Sequence, residues 1–180
     1  MMFVTIFFYG LCRPKEADRA EFIFLTSFFL FYVIYELLPV AGPYYYFKAI
    51  GIEAANSGIY PDLGHYFQTN HDMLHAPVKG IFSQLVHNTQ EFGELPAAAF
   101  PSSHCGMTVI TMILAWQTRN RWLFYLMLPL AILLCMATVY IMAHYLIDTM
   151  AGIVFAFLFY YLTNYMYHLH HQGVRPLDDT

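Results

Sequence analysis

Apolar runs long enough to cross a bilayer recur along this chain and leave little room for a soluble fold. They lie at about 22–41, 104–118, 122–143 and 145–167. A hydrocarbon core about 30 Å thick takes roughly 20 helical residues, and backbone polar groups inside it are satisfied only in helices or closed barrels. The second run is short and is expected to extend by a turn into its flanks. A fifth, MFVTIFFYGL near the start, is half a span. Composition agrees, with 59% of the 180 residues hydrophobic and only 11% charged, well outside the soluble range. The expected fold class is all-α: one polytopic membrane helix bundle over residues 1–180, with four full spans and an N-terminal partial span. No charged-then-apolar leader precedes a small-residue cleavage site, so no signal peptide is expected.

The basic residues orient this bundle. Arg13, Lys15 and Arg19 lie between the half-span and the first full span, Arg119 and Arg121 between the second and third, and Arg175 in the tail. Alternating helices put all six on one side, which the positive-inside bias makes cytoplasmic. Lys48 and Lys79 fall on the other side, together with the outer loop 42–103 and the link around His144. The net charge of −4 and the lack of a basic run speak against a nucleic-acid partner. Cys12, Cys105 and Cys135 show no metal or disulfide spacing and read as small apolar residues.

Between the spans, RPKEADRAE reads as a solvated turn, and the first full span is expected to stop at Pro39 and the pair Gly42–Pro43. The outer loop is too long for a simple connector. It carries His65, His71, His75 and His87 and an amphipathic run, GIFSQLVHNTQEF, suited to the membrane surface. Loop scatter accounts for these histidines better than metal binding, and His168, His170 and His171 read as a solvated helix end, so no metal site is expected.

Two histidines stand out. His104 follows PSS and opens the second span. Ser102 or Ser103 can cap that helix, and free amides with the positive end of the helix dipole suit a phosphate. Taken alone, PSSH equally suits an imidazole facing lipid headgroups. His144 and Asp148 are four apart at the start of the last span, which would put them on one helical face. A carboxylate there would hold one ring nitrogen and leave the other as nucleophile or base; a structural His–Asp hydrogen bond is the plainer alternative. Ionisable groups at membrane depth are functional candidates, and Gly152 one turn on permits close helix approach. By topology His104 and His144 reach the same membrane face, where an anion would meet two imidazoles. That arrangement suits in-line attack on phosphorus, with an acid for the leaving oxygen.

PSSH at 101–104, followed by HYLID at 144–148, resembles the second and third motifs of the type-2 phosphatidic acid phosphatase superfamily, P-S-G-H and S-R-x5-H-x3-D. The run YELLPVAGP at 35–43 is similar to a stretch of the branch that includes inositol phosphorylceramide synthases. The resemblance implies a six-helix membrane fold acting on lipid phosphates or diphosphates without metal or other cofactor. One or two N-terminal helices would then be lost here. It implies His144 as a nucleophile forming a phosphohistidine, Asp148 as its orienting partner and His104 as general acid. Ser102 and Ser103 would hold phosphate oxygens. The family's first motif, K-x6-R-P, has no counterpart, and the positions where this family carries other arginines are Tyr44, Thr138 and Met142. Lys48 and Lys79 are the outer cations left to bind phosphate.

The function expected is a membrane phosphatase hydrolysing a lipid phosphate or diphosphate on the non-cytoplasmic face, in a bacterial inner membrane with a periplasmic or extracellular site. Its partners would be that lipid substrate and the surrounding membrane lipids. Transfer of the phosphoryl group to a lipid alcohol remains open, as does a non-catalytic lipid-binding role. Glu36 near the outer end of its span is the one feature that favours a transporter.

Overall fold

The computed structural model describes residues 1–70, 72 and 98–173. Lys79, Arg175, His71, His75, His87 and the amphipathic run of the outer loop lie outside these residues. The described residues form helices α1 (Met2–Cys12), α2 (Pro14–Leu37), α3 (Pro43–Ile50), α4 (Ile52–Asn56), α5 (Ser103–Gln117), α6 (Arg121–Tyr140) and α7 (Leu146–Gly173). A single turn of 3-10 helix covers Tyr66–Gln68. They contain no strand, only an isolated bridge between Val40 and Ala98.

Among the described residues, three helices are long and apolar enough to cross a membrane: α2, α6 and α7. The expected fourth full span, α5, has 15 residues, about 22 Å of helix. It falls short of the hydrocarbon core because it begins only at the serine cap beside His104 and ends before Arg119. α5 is also the inner helix of the bundle, packed against α1, α2, α6 and α7, with Cys105, Ile110, Leu114 and Ala115 fully buried. By contrast, α6 shows Leu126, Leu130, Leu133 and Met136 outward, as a face turned to lipid does.

α2 starts earlier than expected, at Pro14. The segment KEADRAE is helix rather than turn, because Lys, Glu, Ala and Arg are strong helix formers and proline is well placed at the first helical position. Only Arg13 separates α1 from α2. α7 likewise runs past the expected end of the last span, so His168, His170 and His171 are helical. Cys12, expected to be buried, is exposed at the end of α1.

Close packing on α5 depends on two glycines. The Phe31 ring of α2 lies against Gly106, where an added Cβ would sit 2.1 Å from the ring. On the other flank, a Cβ at Gly152 of α7 would meet the Ser102 carbonyl oxygen at 2.3 Å. Gly152→Ala must push α7 away from the start of α5. Overpacking of this kind costs typically 1–3 kcal/mol. A lower unfolding midpoint in detergent, with a matching loss of activity, is the expected result.

The two ends of the bundle differ. At one end Arg19 donates to Asn164 (2.8 Å), Gln117 (3.3 Å) and the Tyr160 hydroxyl (3.1 Å), joining α2, α5 and α7. Arg13, Lys15, Arg119 and Arg121 share this end. At the other end His104 and His144 meet.

Candidate active site

Two irregular segments and one helix start build the histidine end. After α6 the chain reverses through Ile141–Tyr145, where Met142 adopts φ 58°. That left-handed conformation is uncommon for a residue with a side chain. The Thr138 carbonyl accepts from both Ala143 N–H (3.0 Å) and His144 N–H (3.1 Å), closing the reversal. His144 therefore sits in the turn and not on α7.

That placement overturns the expected His144–Asp148 hydrogen bond, since residues four apart face one another only inside a helix. Asp148 is the third residue of α7, and its carboxylate reaches back to accept from Tyr145 N–H at 2.8 Å. This is the return arm of a capping box. Its main-chain carbonyl accepts from Ser102 N–H at 2.9 Å, so Asp148 stitches the start of α7 to the start of α5. A side-chain amide can serve the same cap. Asp148→Asn should therefore keep most activity and Asp148→Ala should lose about 1 kcal/mol of stability. Comparing the two variants by turnover and thermal unfolding checks this.

The Ala99 carbonyl takes the place that Asp148 was expected to fill. It accepts from His144 Nδ1–H at 2.8 Å. Ala99 is in turn fixed by its own N–H, which donates to the Val40 carbonyl at 3.1 Å. With the proton on Nδ1, His144 Nε2 carries the lone pair. It lies 3.3 Å from His104 Nδ1, with ring centroids 5.6 Å apart. His144 is buried at 5% exposure, whereas His104 is exposed.

Burial holds the His144 ring well below the usual histidine value, at about 4; the neighbouring His104 adds to this, and the Ala99 hydrogen bond opposes it. An unfolded chain takes up a proton here near pH 6.5 and the folded one only near pH 4. His144 thus contributes stability above pH 6.5 that is lost as the pH falls toward 4. Thermal unfolding between pH 7 and pH 4 should show this fall, and His144→Leu should flatten it.

Ser102 caps α5, its hydroxyl accepting from Cys105 N–H at 3.4 Å, and is fully buried. Gly106 N–H donates to the Ser102 carbonyl at 3.0 Å. Sequence reasoning assigned no role to Tyr35, whose hydroxyl donates to the Pro101 carbonyl (3.0 Å) and accepts from Ser103 N–H (2.9 Å). Its place at the head of YELLPVAGP was the available signal. Tyr44, the residue after that stretch, reaches the histidine turn through its N–H, which donates to the Met142 carbonyl at 3.1 Å.

A cavity of about 240 Å³ opens at the two imidazoles. Ser103, His104, His144, Tyr35 and Tyr45 line it, and Ser102, Asp148 and Lys48 do not. Lys48 is exposed in the last turn of α3. Glu36 is exposed in the last turn of α2 and is also absent from the cavity lining. The cavity thus brings together His104, His144 and Ser103 out of the expected set.

Residues 1–162 match a family profile described as the PAP2 superfamily. Neither a curated protein nor a solved structure matches the chain.

Proposed function

Because the chain belongs to the PAP2 superfamily, we propose that it is an integral membrane phosphatase acting on a lipid phosphate or diphosphate through a phosphohistidine on His144. The observation that carries this reading is the pairing of His144 Nε2 with His104 Nδ1 at the mouth of one cavity. In the resting site His104 donates to the His144 lone pair. A phosphoryl group enters by taking the place of that contact, which the exposed His104 ring is free to yield. His144 Nε2 then attacks phosphorus and the ester P–O bond breaks. His104, entering as imidazolium, gives a proton to the departing alkoxide; neutral again, it takes a proton from the water that releases phosphate from His144.

Phosphate oxygens are received by Ser103 and by the start of α5. Ser102 serves this binding as the cap of that helix, and Asp148 by holding both helix starts. Lys48 and, from its position in the outer-loop sequence, Lys79 counter phosphate charge in this reading, with no metal or organic cofactor. The arginine-rich end faces the cytoplasm, which sets the histidines on the periplasmic or extracellular side of a bacterial inner membrane.

The phosphotransferase of the inositol phosphorylceramide synthase type is a second reading. It is favoured by one observation, that YELLPVAGP meets both histidine segments: Tyr35 and Val40 bond Ser103 and Ala99, and Gly42 lies close against the Ala143 carbonyl. In that case a lipid alcohol, not water, takes the phosphoryl group. Purified protein incubated with phosphorus-labelled lipids distinguishes the two. Label leaving as inorganic phosphate supports hydrolysis, label on a second lipid supports transfer, and no label lost from any lipid overturns both.

A further inference from the structure

The histidine cavity is far deeper than a phosphate requires. Beyond the imidazoles it continues between α1, α2 and α5, lined by Tyr32, Phe28 and Phe24 of α2, Met107 of α5 and Met2 of α1. Tyr35, Tyr32, Phe28 and Phe24 are spaced three and four apart, so they share one helix face. From Tyr35 to Phe24 this face measures about 16 Å, at roughly 1.5 Å per residue. Tyr35 marks the polar mouth, where its hydroxyl is bound to Pro101 and Ser103. Inward of it the walls are rings and thioethers: Phe28 packs against Tyr32 with ring centroids 4.9 Å apart and planes tilted by 53°, and Phe24 is buried. Tyr32 itself is 47% exposed, which opens this side of the slot to the lipid around α2.

We infer that this slot is a binding site for one hydrocarbon chain of the substrate, entered sideways past Tyr32 and ending at Phe24 and Met2. The inference rests on the phosphatase reading for what sits at the mouth and adds the ligand that fills the remainder. A helix, about 10 Å across with its side chains, does not fit 240 Å³. A water-soluble phosphate leaves its apolar walls unused. An amphiphile with a phosphate at one end satisfies both the imidazoles and the aromatic wall. The larger apolar groove of about 1000 Å³ between α5, α6 and α7 includes neither histidine in its lining, so a chain lying there would not carry phosphate to the site.

A dodecyl phosphonate with a diazirine at the far end of its chain, photolysed with the full chain in nanodiscs, tests the slot. Labelling is expected at Phe24, Phe28, Met107 or Met2, suppressed by dodecyl phosphate and not by dodecanol. Phe24→Trp, which shortens the slot, should move the label outward toward Tyr32. Labels concentrated in the groove at Ile132 or Met136, or unaffected by dodecyl phosphate, would overturn the slot. Rates form an independent arm. Across monoalkyl phosphates from ethyl upward, kept below micelle formation, kcat/KM should rise about fourfold per added methylene, from about 0.8 kcal/mol per buried CH₂, and then level off. Met107→Trp should make it level off earlier. A rate indifferent to chain length counts against the slot. Correct labelling with no cleavage of any ester leaves the slot standing and removes the phosphatase reading.

Discussion

His144→Ala removes turnover, by roughly ten-thousandfold or more, the scale on which loss of a covalent nucleophile acts. The ring is buried, its Nδ1 proton is held by the Ala99 carbonyl, and its Nε2 lone pair points at the His104 imidazole that also lines the cavity. Among the described residues, no other cavity-lining side chain offers an oriented nitrogen nucleophile. The measurement is phosphate release or transfer from a lipid panel, beside thermal unfolding to show that the variant is folded. Wild-type turnover in a folded His144→Ala protein would remove the mechanism. Trapping labelled phosphate on the wild-type protein by rapid acid-free denaturation, and failing to do so on the variant, gives the same answer without steady-state rates.

The second large effect belongs to His104. As the general acid it should contribute about 10² to 10⁴ in rate, and His104→Gln should lose that much on an alkyl ester. A leaving group that needs no proton sets this role apart from a structural one. With p-nitrophenyl phosphate the departing oxygen is already stable as an anion, so His104→Gln should regain much of the loss in the first step, whereas His144→Ala should not. Equal losses on both substrates would place His104 in binding and not in proton transfer.

Much of this geometry follows from helix arithmetic. Hydropathy locates the membrane-crossing helices to within a few residues at most ends, and alternation of their directions brings the two histidines to one end. Gly152 is legible as a close-approach position, and the Ser102 carbonyl is what approaches it. The expectations that fail do so for separate reasons. KEADRAE reads as a turn because it is polar, yet polarity and helix propensity are separate properties, and Pro14 starts the helix before the charges. The pairing of His144 with Asp148 assumes that the last helix has already begun at residue 144. It begins at Leu146, after a reversal that Met142 makes in a left-handed conformation for which a methionine gives no signal. α5 is counted as a full span from its apolar residues, although its serine cap and the left-handed Arg119 beyond Thr118 limit it to 15 residues. Ala99 is invisible for another reason: a main-chain carbonyl carries no side-chain signature.

The acceptor that keeps a hydrogen on one nitrogen of His144 belongs to the peptide unit, so replacing the methyl group at position 99 by other small side chains leaves it in place. The ring's protonation pattern is thereby insulated from ordinary point substitution at its own support. Vulnerability shifts to whatever displaces the backbone there, above all proline at position 99, which would delete the N–H that anchors this peptide to Val40.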